Sequence, residues 1–97
     1  MKSNSKETCP VARVASLLSD KWTMLIVRDV MKMPHRYKDL CDSLTGISTR
    51  TLTLKLGKLV DSGVIVKKEP YYQITEKGKK LGDIYSEMTK YGKKYLD

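Results

Sequence analysis

Residues 47–81 read ISTRTLTLKLGKLVDSGVIVKKEPYYQITEKGKKL, and this stretch decides the predicted fold. Ser48 is a residue type preferred as a helix N-cap, and Gly63 is the type preferred just past a helix end. Between them, apolar residues recur at the three- and four-residue spacing of a buried helix face. They are Leu52, Leu56, Leu59 and Val60. The stretch therefore predicts a capped helix with one buried side.

A short basic hairpin is predicted after this helix. Residues 64–68 and 71–75 alternate between apolar and polar types as strands do, and Glu69-Pro70 joins them. Another helix begins near Glu76 and runs towards Tyr95. Helix, basic hairpin and helix form the order of a winged helix-turn-helix, in which one helix enters the DNA major groove and the hairpin lies beside it.

Three further helices are predicted before this stretch. The first begins at Pro10, the second begins near Trp22 and ends before Pro34, and the third is closed by Gly46. Their apolar stripes comprise Val11, Val14, Ala15 and Leu18; Leu25, Ile26 and Val30; and Tyr37, Leu40, Cys41 and Leu44. The predicted fold is mainly α-helical with a small β-hairpin. Residues 1–8 are expected to form a flexible leader and residues 9–97 a single domain.

The charge and cysteine content restrict the classes of partner and location. Net charge is +8, so the surface should attract polyanions, with nucleic acid first and an anionic membrane surface second. We expect no membrane partner, because no apolar run is long enough to cross a bilayer, and the start lacks the apolar centre of a signal peptide. A cytoplasmic protein is therefore expected. Cys9 and Cys41 are too few for a disulfide framework or a metal site.

An enzyme would need a nucleophile with a base, paired carboxylates, a phosphate-binding glycine loop or a ligand cluster. The chain has one histidine, His35, between Pro34 and Arg36 in a predicted turn, and it lacks the other patterns. We therefore expect no catalytic residue, no metal and no cofactor.

The predicted reading face lies opposite the leucine stripe of the helix that follows Ser48. Its amino-terminal part is short and polar and carries Arg50, which can donate two parallel hydrogen bonds to guanine. The expected base-reading residues are Ser48, Thr49, Arg50, Thr53 and Leu54. The alternative is a solvated helix face that carries one arginine.

Cations elsewhere are expected to contact the phosphates of double-stranded DNA. Helix starts and hairpins suit such contacts, and the release of counterions would make affinity fall with salt. The expected phosphate contacts are the cations Arg36, Lys38, Lys58, Lys67 and Lys68, together with the neutral Tyr37. The alternative is that scattered lysines keep the protein soluble, which we favour for those of the last helix.

The last predicted helix carries an apolar stripe wider than a winged-helix core requires. It consists of Leu81, Ile84, Tyr85, Met88, Tyr91 and Tyr95. We expect part of this stripe to form a homodimer interface, although the helix could instead fold back on its own domain. Two-fold pairing would place two reading helices about 34 Å apart, one turn of DNA.

The motifs CPV, DKW, PHRYKDL, GISTRTLTLKLGKLVDSGVI and YYQITEKGKKL occur in this order between Cys9 and about Lys90. The chain in this respect resembles the HxlR-type winged-helix transcriptional regulators of bacteria and archaea. The resemblance implies a homodimer on pseudo-palindromic operator DNA, with the first and last helices at the interface. It adds Val11, Val14 and Leu18 to the expected dimer contacts and makes Arg36 and Tyr37 the family's basic-aromatic pair. The hairpin is a departure, because family members usually carry a longer wing.

Cys9 is a candidate sensor of oxidants or electrophiles. It precedes Pro10 at a helix start, where the helix dipole favours a thiolate, and Lys6 is close in sequence. Some members of the family that the chain resembles use a cysteine at this motif position in this way. The alternative is a small packing residue with no regulatory role. Cys41 is expected in the core.

One rival class remains open at this point. A winged helix can also serve protein–protein assembly without specific DNA binding, since fold alone does not fix function. That function predicts an acidic or apolar outer face on the reading helix. Arg50 argues against it, whereas Leu54 and Asp61 leave room for it.

Overall fold

The computed structural model of the chain describes residues 8–18 and 20–96. Of the predicted leader at residues 1–8, all but Thr8 lie outside the described residues. The helices are α1 (Pro10–Leu18), α2 (Lys21–Lys32), α3 (Tyr37–Ser43), α4 (Thr49–Asp61), α5 (Glu76–Lys79) and α6 (Gly82–Tyr95). The strands are β1 (His35–Arg36), β2 (Ile65–Lys68) and β3 (Tyr71–Ile74). The predicted class, a mainly helical winged helix-turn-helix with a small sheet, is confirmed.

The core lies between α2, α3, α4 and the sheet. Its most deeply buried side chains are Ile26, Val27, Val30, Leu40, Leu52, Leu56, Leu59, Val64 and Ile65. The leucine stripe of α4 is therefore buried as predicted, with one exception. Val60 is 36% exposed, because the helix turns it about 100° away from its buried neighbour Leu59.

The sheet has a third strand that the sequence did not predict. The strand order is β1-β3-β2, and both pairs are antiparallel. Arg36 of β1 pairs with Tyr71 of β3, which pairs with Lys68 of β2. Strand β1 has only two residues, too few to show alternation, and it joins the wing directly to the start of α3.

Two glycines end helical segments as expected. Gly46 follows α3 with φ of 94°, and Gly63 follows α4 with φ of 81°, values that side chains other than glycine rarely adopt. The turn ending at Gly46 leads to Ser48, whose Oγ accepts a hydrogen bond from the Thr51 N–H at 3.0 Å and so caps α4.

The single last helix expected from about Glu76 is wrong, because the chain forms α5 and then α6. Gly78 of α5 packs against the sheet so closely that a Cβ there would overlap the Val64 carbonyl oxygen. Leu81, at the junction of the two helices, is buried. The chain therefore turns at Lys80 and Leu81, and α6 leaves the core with none of its own residues fully buried.

Candidate nucleic-acid interface

The outer face of α4 is exposed from its first turn onwards. Arg50, Leu54, Gly57 and Asp61 all lie away from the core, as helical periodicity predicted. Leu54 is 54% exposed. None of the ion pairs between described residues involves Arg50, so its guanidinium is available to a ligand. On this face and its flanks the exposed side chains are Thr49, Arg50, Thr53, Leu54 and Lys58.

Two of the predicted base-reading hydroxyls bond within the protein. The Ser48 hydroxyl caps α4 and donates to Thr51 Oγ1 at 2.9 Å. The Thr53 hydroxyl lies 3.0 Å from the Tyr37 hydroxyl. The predicted base-reading residues whose side chains are not engaged in these internal hydrogen bonds are therefore Thr49, Arg50 and Leu54.

Tyr37 connects the start of α3 to the reading end of α4. Its hydroxyl donates a hydrogen bond to the Thr49 carbonyl oxygen at 3.0 Å. Tyr37 was predicted as a phosphate contact, yet its hydroxyl is engaged with α4 rather than directed at a ligand. The role that this geometry gives Tyr37 is to hold the position of α4.

Arg36 and Lys38 flank Tyr37 on the exposed surface. The Arg36 N–H donates to the Asp39 carboxylate at 2.9 Å, and the guanidinium contacts the same group at 3.4 Å. The hydrogen bonds from the Arg36 backbone and side chain hold the pKa of Asp39 below its usual range. Arg36 retains 54% side-chain exposure, so it can still approach a phosphate.

The wing carries one paired and one unpaired cation. Lys67 lies 3.0 Å from the Glu69 carboxylate and 5.4 Å from the centroid of the Tyr72 ring. The hydrogen bond that Lys67 donates to Glu69 raises the pKa of Lys67. Lys68 is exposed and takes part in none of the ion pairs between described residues. Arg36, Tyr71 and Lys68 form one exposed row across the sheet, since directly paired residues lie on the same face.

The predicted dimer residues divide into exposed and buried sets. Leu81 is 8% exposed and lies in the protomer's own core, which contradicts its prediction as a dimer contact. Leu18 is 5% exposed and packs in the core, but it also borders the apolar surface between α1 and α6. Tyr85 is half-buried, and its hydroxyl donates to the Met24 carbonyl oxygen at 2.7 Å, which ties α6 to α2. That burial raises the pKa of Tyr85 to about 12. The large apolar side chains that stay exposed are Val11, Ile84, Met88, Tyr91 and Tyr95.

An apolar groove of about 440 Å³ runs between α1 and α6. Its lining includes Val11, Val14, Ile84 and Met88. A second apolar depression on α6 adjoins it and ends at Tyr91. The exposed residues from Val11 of α1 to Tyr91 of α6 therefore border one continuous apolar surface.

Four other residues noted in the sequence are Cys9, Cys41, Trp22 and His35. Cys9 is exposed immediately before α1, and its carbonyl oxygen accepts the Arg13 N–H at 3.0 Å. Cys41 and Trp22 pack against the core. His35 lies in β1, where its Nδ1 is 2.8 Å from the Met33 carbonyl oxygen. Within the described ranges, no group of histidine, cysteine and acidic side chains could hold a metal ion, and no helix could span a membrane.

One contact with α4 was not predicted from the sequence. Asp20, which the sequence singled out only as part of the DKW motif, caps α2 through the Thr23 N–H at 2.9 Å and also pairs with Lys55 of α4. Burial alone would raise the pKa of Asp20, but the hydrogen bonds from Lys55 and Thr23 outweigh it and lower the pKa to about 2. The Asp20 cap of α2 could have been predicted from the three-residue spacing of Asp20 and Thr23. The ion pair of Asp20 with Lys55 could not, because the two residues are 35 positions apart in the sequence.

Comparison with known proteins decides the family. Residues 17–97 match the family described as HxlR-like helix-turn-helix. The chain belongs to the HxlR family. An uncharacterized HTH-type transcriptional regulator of Synechocystis sp. is 33% identical over 96 residues, which cover 92% of this HxlR-family chain and 71% of the relative.

Solved structures agree with this assignment. A putative MarR-family transcriptional regulator from Porphyromonas gingivalis W83 superposes with a TM-score of 0.85 and 32% identity, covering 92% of this chain and 94% of that one. The quinone-bound YodB from Bacillus subtilis gives a TM-score of 0.83 and 28% identity, covering 90% of this chain and 100% of that one. This HxlR-family chain is a transcriptional regulator of the helix-turn-helix type, not an enzyme.

Proposed function

We propose that the protein binds pseudo-palindromic operator DNA as a homodimer, with α4 in the major groove and the wing against the phosphates. The observation that carries this proposal is the exposed, polar reading end of α4, where Arg50 has no ion-pair partner among the described residues. A buried leucine stripe fixes the helix from behind, so the reading side chains are presented on a rigid element.

The basic surface around α4 supports the same placement of DNA. Tyr37 joins the reading end to α3, and Arg36 begins the exposed row that crosses the sheet to Lys68. A phosphate backbone that follows this row would meet Arg36 and Lys68 in turn, with Lys38 at the start of α3. Lys58 lies on the flank of α4 towards the other side of the groove. Such contacts supply affinity that depends on salt, and Arg50 supplies selectivity.

The wing contributes to affinity more than to selectivity. Its strands have four residues each and are joined by Glu69-Pro70 alone. So short a loop does not reach deep into a minor groove, and Glu69 already neutralises part of the charge of Lys67. Lys68 is therefore the principal phosphate contact of the wing.

The groove between α1 and α6 is the surface on which a second copy docks. It is continuous, apolar and built from the two helices that pack least against the core. A two-fold axis through it would present two copies of α4 on one side of the dimer, as paired half-sites one helical turn apart require.

Cys9 is the proposed site of response to oxidants or electrophiles. It is exposed, and it immediately precedes the helix that borders the dimer groove. The quinone-bound form of YodB supports the comparison, since that regulator is similar to 90% of this chain. A modification at Cys9 would alter how α1 sits against the second copy and thereby the spacing of the two reading helices.

A second candidate is a protein–protein assembly module. The observation that favours it is Leu54, which is 54% exposed in the middle of the α4 outer face. In DNA binding the same side chain would pack against a thymine methyl group.

Selection of binding sites from a pool of random DNA duplexes tests the proposal. The expected product is an inverted repeat whose half-site centres lie about 10 bp apart. Recovery of no common motif, even at low salt, would contradict operator binding and favour the assembly module. A single half-site without symmetry would contradict the dimer while leaving α4 as the reading element.

A further inference from the structure

One ion pair joins the α1–α2 corner of the fold to the middle of the reading helix. Asp20 lies between α1 and α2, and its carboxylate contacts the Lys55 ammonium of α4. The same carboxylate accepts the Thr23 N–H at 2.9 Å and so caps α2. A single side chain therefore fixes both the start of α2 and the middle of α4.

The position of Asp20 makes it sensitive to α1. Its N–H donates to the carbonyl oxygen of Leu18, the last residue of α1, at 2.6 Å. Its side chain also borders an apolar depression of about 600 Å³, whose lining includes Ala15, Leu18 and Met24. A displacement of α1 would therefore act on Asp20 directly, through its backbone and through the depression that it borders.

The position of Lys55 suits it to support α4 rather than to contact DNA. At about 100° per residue, Lys55 lies about 140° around the helix axis from Arg50. Its side chain is 22% exposed, and its charge is already compensated by Asp20. Lys58, by contrast, lies on an exposed flank of the same helix.

We propose that Asp20 and Lys55 are positioning residues that couple the location of α1 to the orientation of the reading helix. This inference rests on the proposed DNA binding. It names the contact through which a change at the dimer groove or at Cys9 reaches α4. Because the pKa of Asp20 is about 2, the carboxylate stays charged at physiological pH, and the pair responds to position rather than to protonation.

A double-mutant cycle tests the coupling. Asp20→Asn keeps an N-cap of equal rank but removes the charge, and Lys55→Gln removes the partner charge. We expect each single variant to weaken operator binding about 2- to 5-fold, the range for loss of a partly exposed ion pair. The double variant should lose no more than either single variant, and Lys55→Arg should retain wild-type affinity.

Salt dependence distinguishes positioning from direct contact. Lys58→Gln is the matched control, because a lost phosphate contact lowers the slope of log affinity against log salt by about one. Lys55→Gln should leave that slope unchanged. A lowered slope would overturn the proposal by making Lys55 a phosphate contact, as would additive losses in the double variant. A lower melting temperature with unchanged operator affinity would also overturn it, because the pair would then serve stability alone.

Amide hydrogen exchange in α4 of the protein without DNA separates this inference from the proposed function. Asp20→Asn and Lys55→Gln should raise exchange in α4 to the same extent. If no duplex is preferred by the wild type, the proposed function fails, while the exchange result still decides whether the pair holds α4. Unchanged exchange in both variants would overturn the coupling whatever the DNA result.

Discussion

The hydroxyl oxygen of Tyr37 lies 3.0 Å from the carbonyl oxygen of Thr49 and 3.0 Å from Oγ1 of Thr53. A tyrosine hydroxyl has one proton, and Thr49 receives it, so the Thr53 hydroxyl must donate to Tyr37. Two hydrogen bonds thus fix the first turns of α4 against the start of α3. The orientation of the proposed reading end of α4 therefore depends on a residue outside that helix.

Replacement of Tyr37 by Phe should therefore weaken operator binding. The change removes both hydrogen bonds while keeping the ring. We expect a loss of about 5- to 30-fold, from about 1 kcal/mol for each neutral hydrogen bond. Fluorescence anisotropy with a labelled operator measures this affinity. Equal affinity for Tyr37→Phe and wild type would remove the positioning role of Tyr37.

Arg50→Ala should weaken operator binding by about 5- to 150-fold, from 1–3 kcal/mol for a bidentate arginine–guanine contact. It should also relax sequence choice at one position in each half-site. Competition with operators substituted one base pair at a time measures both effects. Lys93→Ala, which removes an exposed cation from α6, should leave both unchanged. A uniform loss across all sequences would make Arg50 a phosphate contact instead.

Met88→Glu should convert the proposed dimer to monomers. Met88 is 45% exposed and contributes to both apolar depressions along α6, so a carboxylate there would have to lose its hydration on dimerisation. Sedimentation velocity measures the oligomeric state, and Lys93→Gln controls for the same one-unit change in net charge. A dimer that persists in Met88→Glu would place the interface elsewhere.

Cys9→Ser should abolish the response of operator binding to diamide or a quinone. Wild type should lose operator affinity on treatment and regain it with thiol after diamide. Diamide takes two electrons and two protons from the Cys9 thiol and a second thiol, either the partner's Cys9 or an added small thiol, and the resulting disulfide is reversible. Cys41→Ser, which alters a thiol packed against the core, should respond as wild type does. An equal response in Cys9→Ser and wild type would assign sensing to another group.

Much of this fold could be predicted from local patterns. Ser48, Gly46 and Gly63 mark helix ends through residue-specific backbone preferences, and the leucines of α4 mark its buried side through periodicity. These signals depend on neighbours in sequence. The reading face of α4 follows from them, since it is the side opposite the leucines.

The parts that could not be predicted depend on contacts between distant residues. The bend between α5 and α6 arises because Gly78 packs against the carbonyl of Val64, and the apolar spacing of the segment continues across the bend. The same spacing placed Leu81 in the dimer stripe, although it is buried in the protomer. The contacts of Tyr37 with α4, and of Asp20 with Lys55, likewise have no local signature.

Sequence-specific binding through α4 is tested most directly by a titration of wild type and Arg50→Ala against three duplexes. These are the operator selected from random DNA, the protein's own upstream promoter fragment and an unrelated duplex. The titration should be made at two salt concentrations, because non-specific phosphate binding falls steeply with salt. At the higher salt, wild type should bind the promoter or the selected operator more tightly than the unrelated duplex. Arg50→Ala should lose this preference. Equal, salt-sensitive binding of wild type to the selected operator and the unrelated duplex would contradict sequence-specific binding through α4.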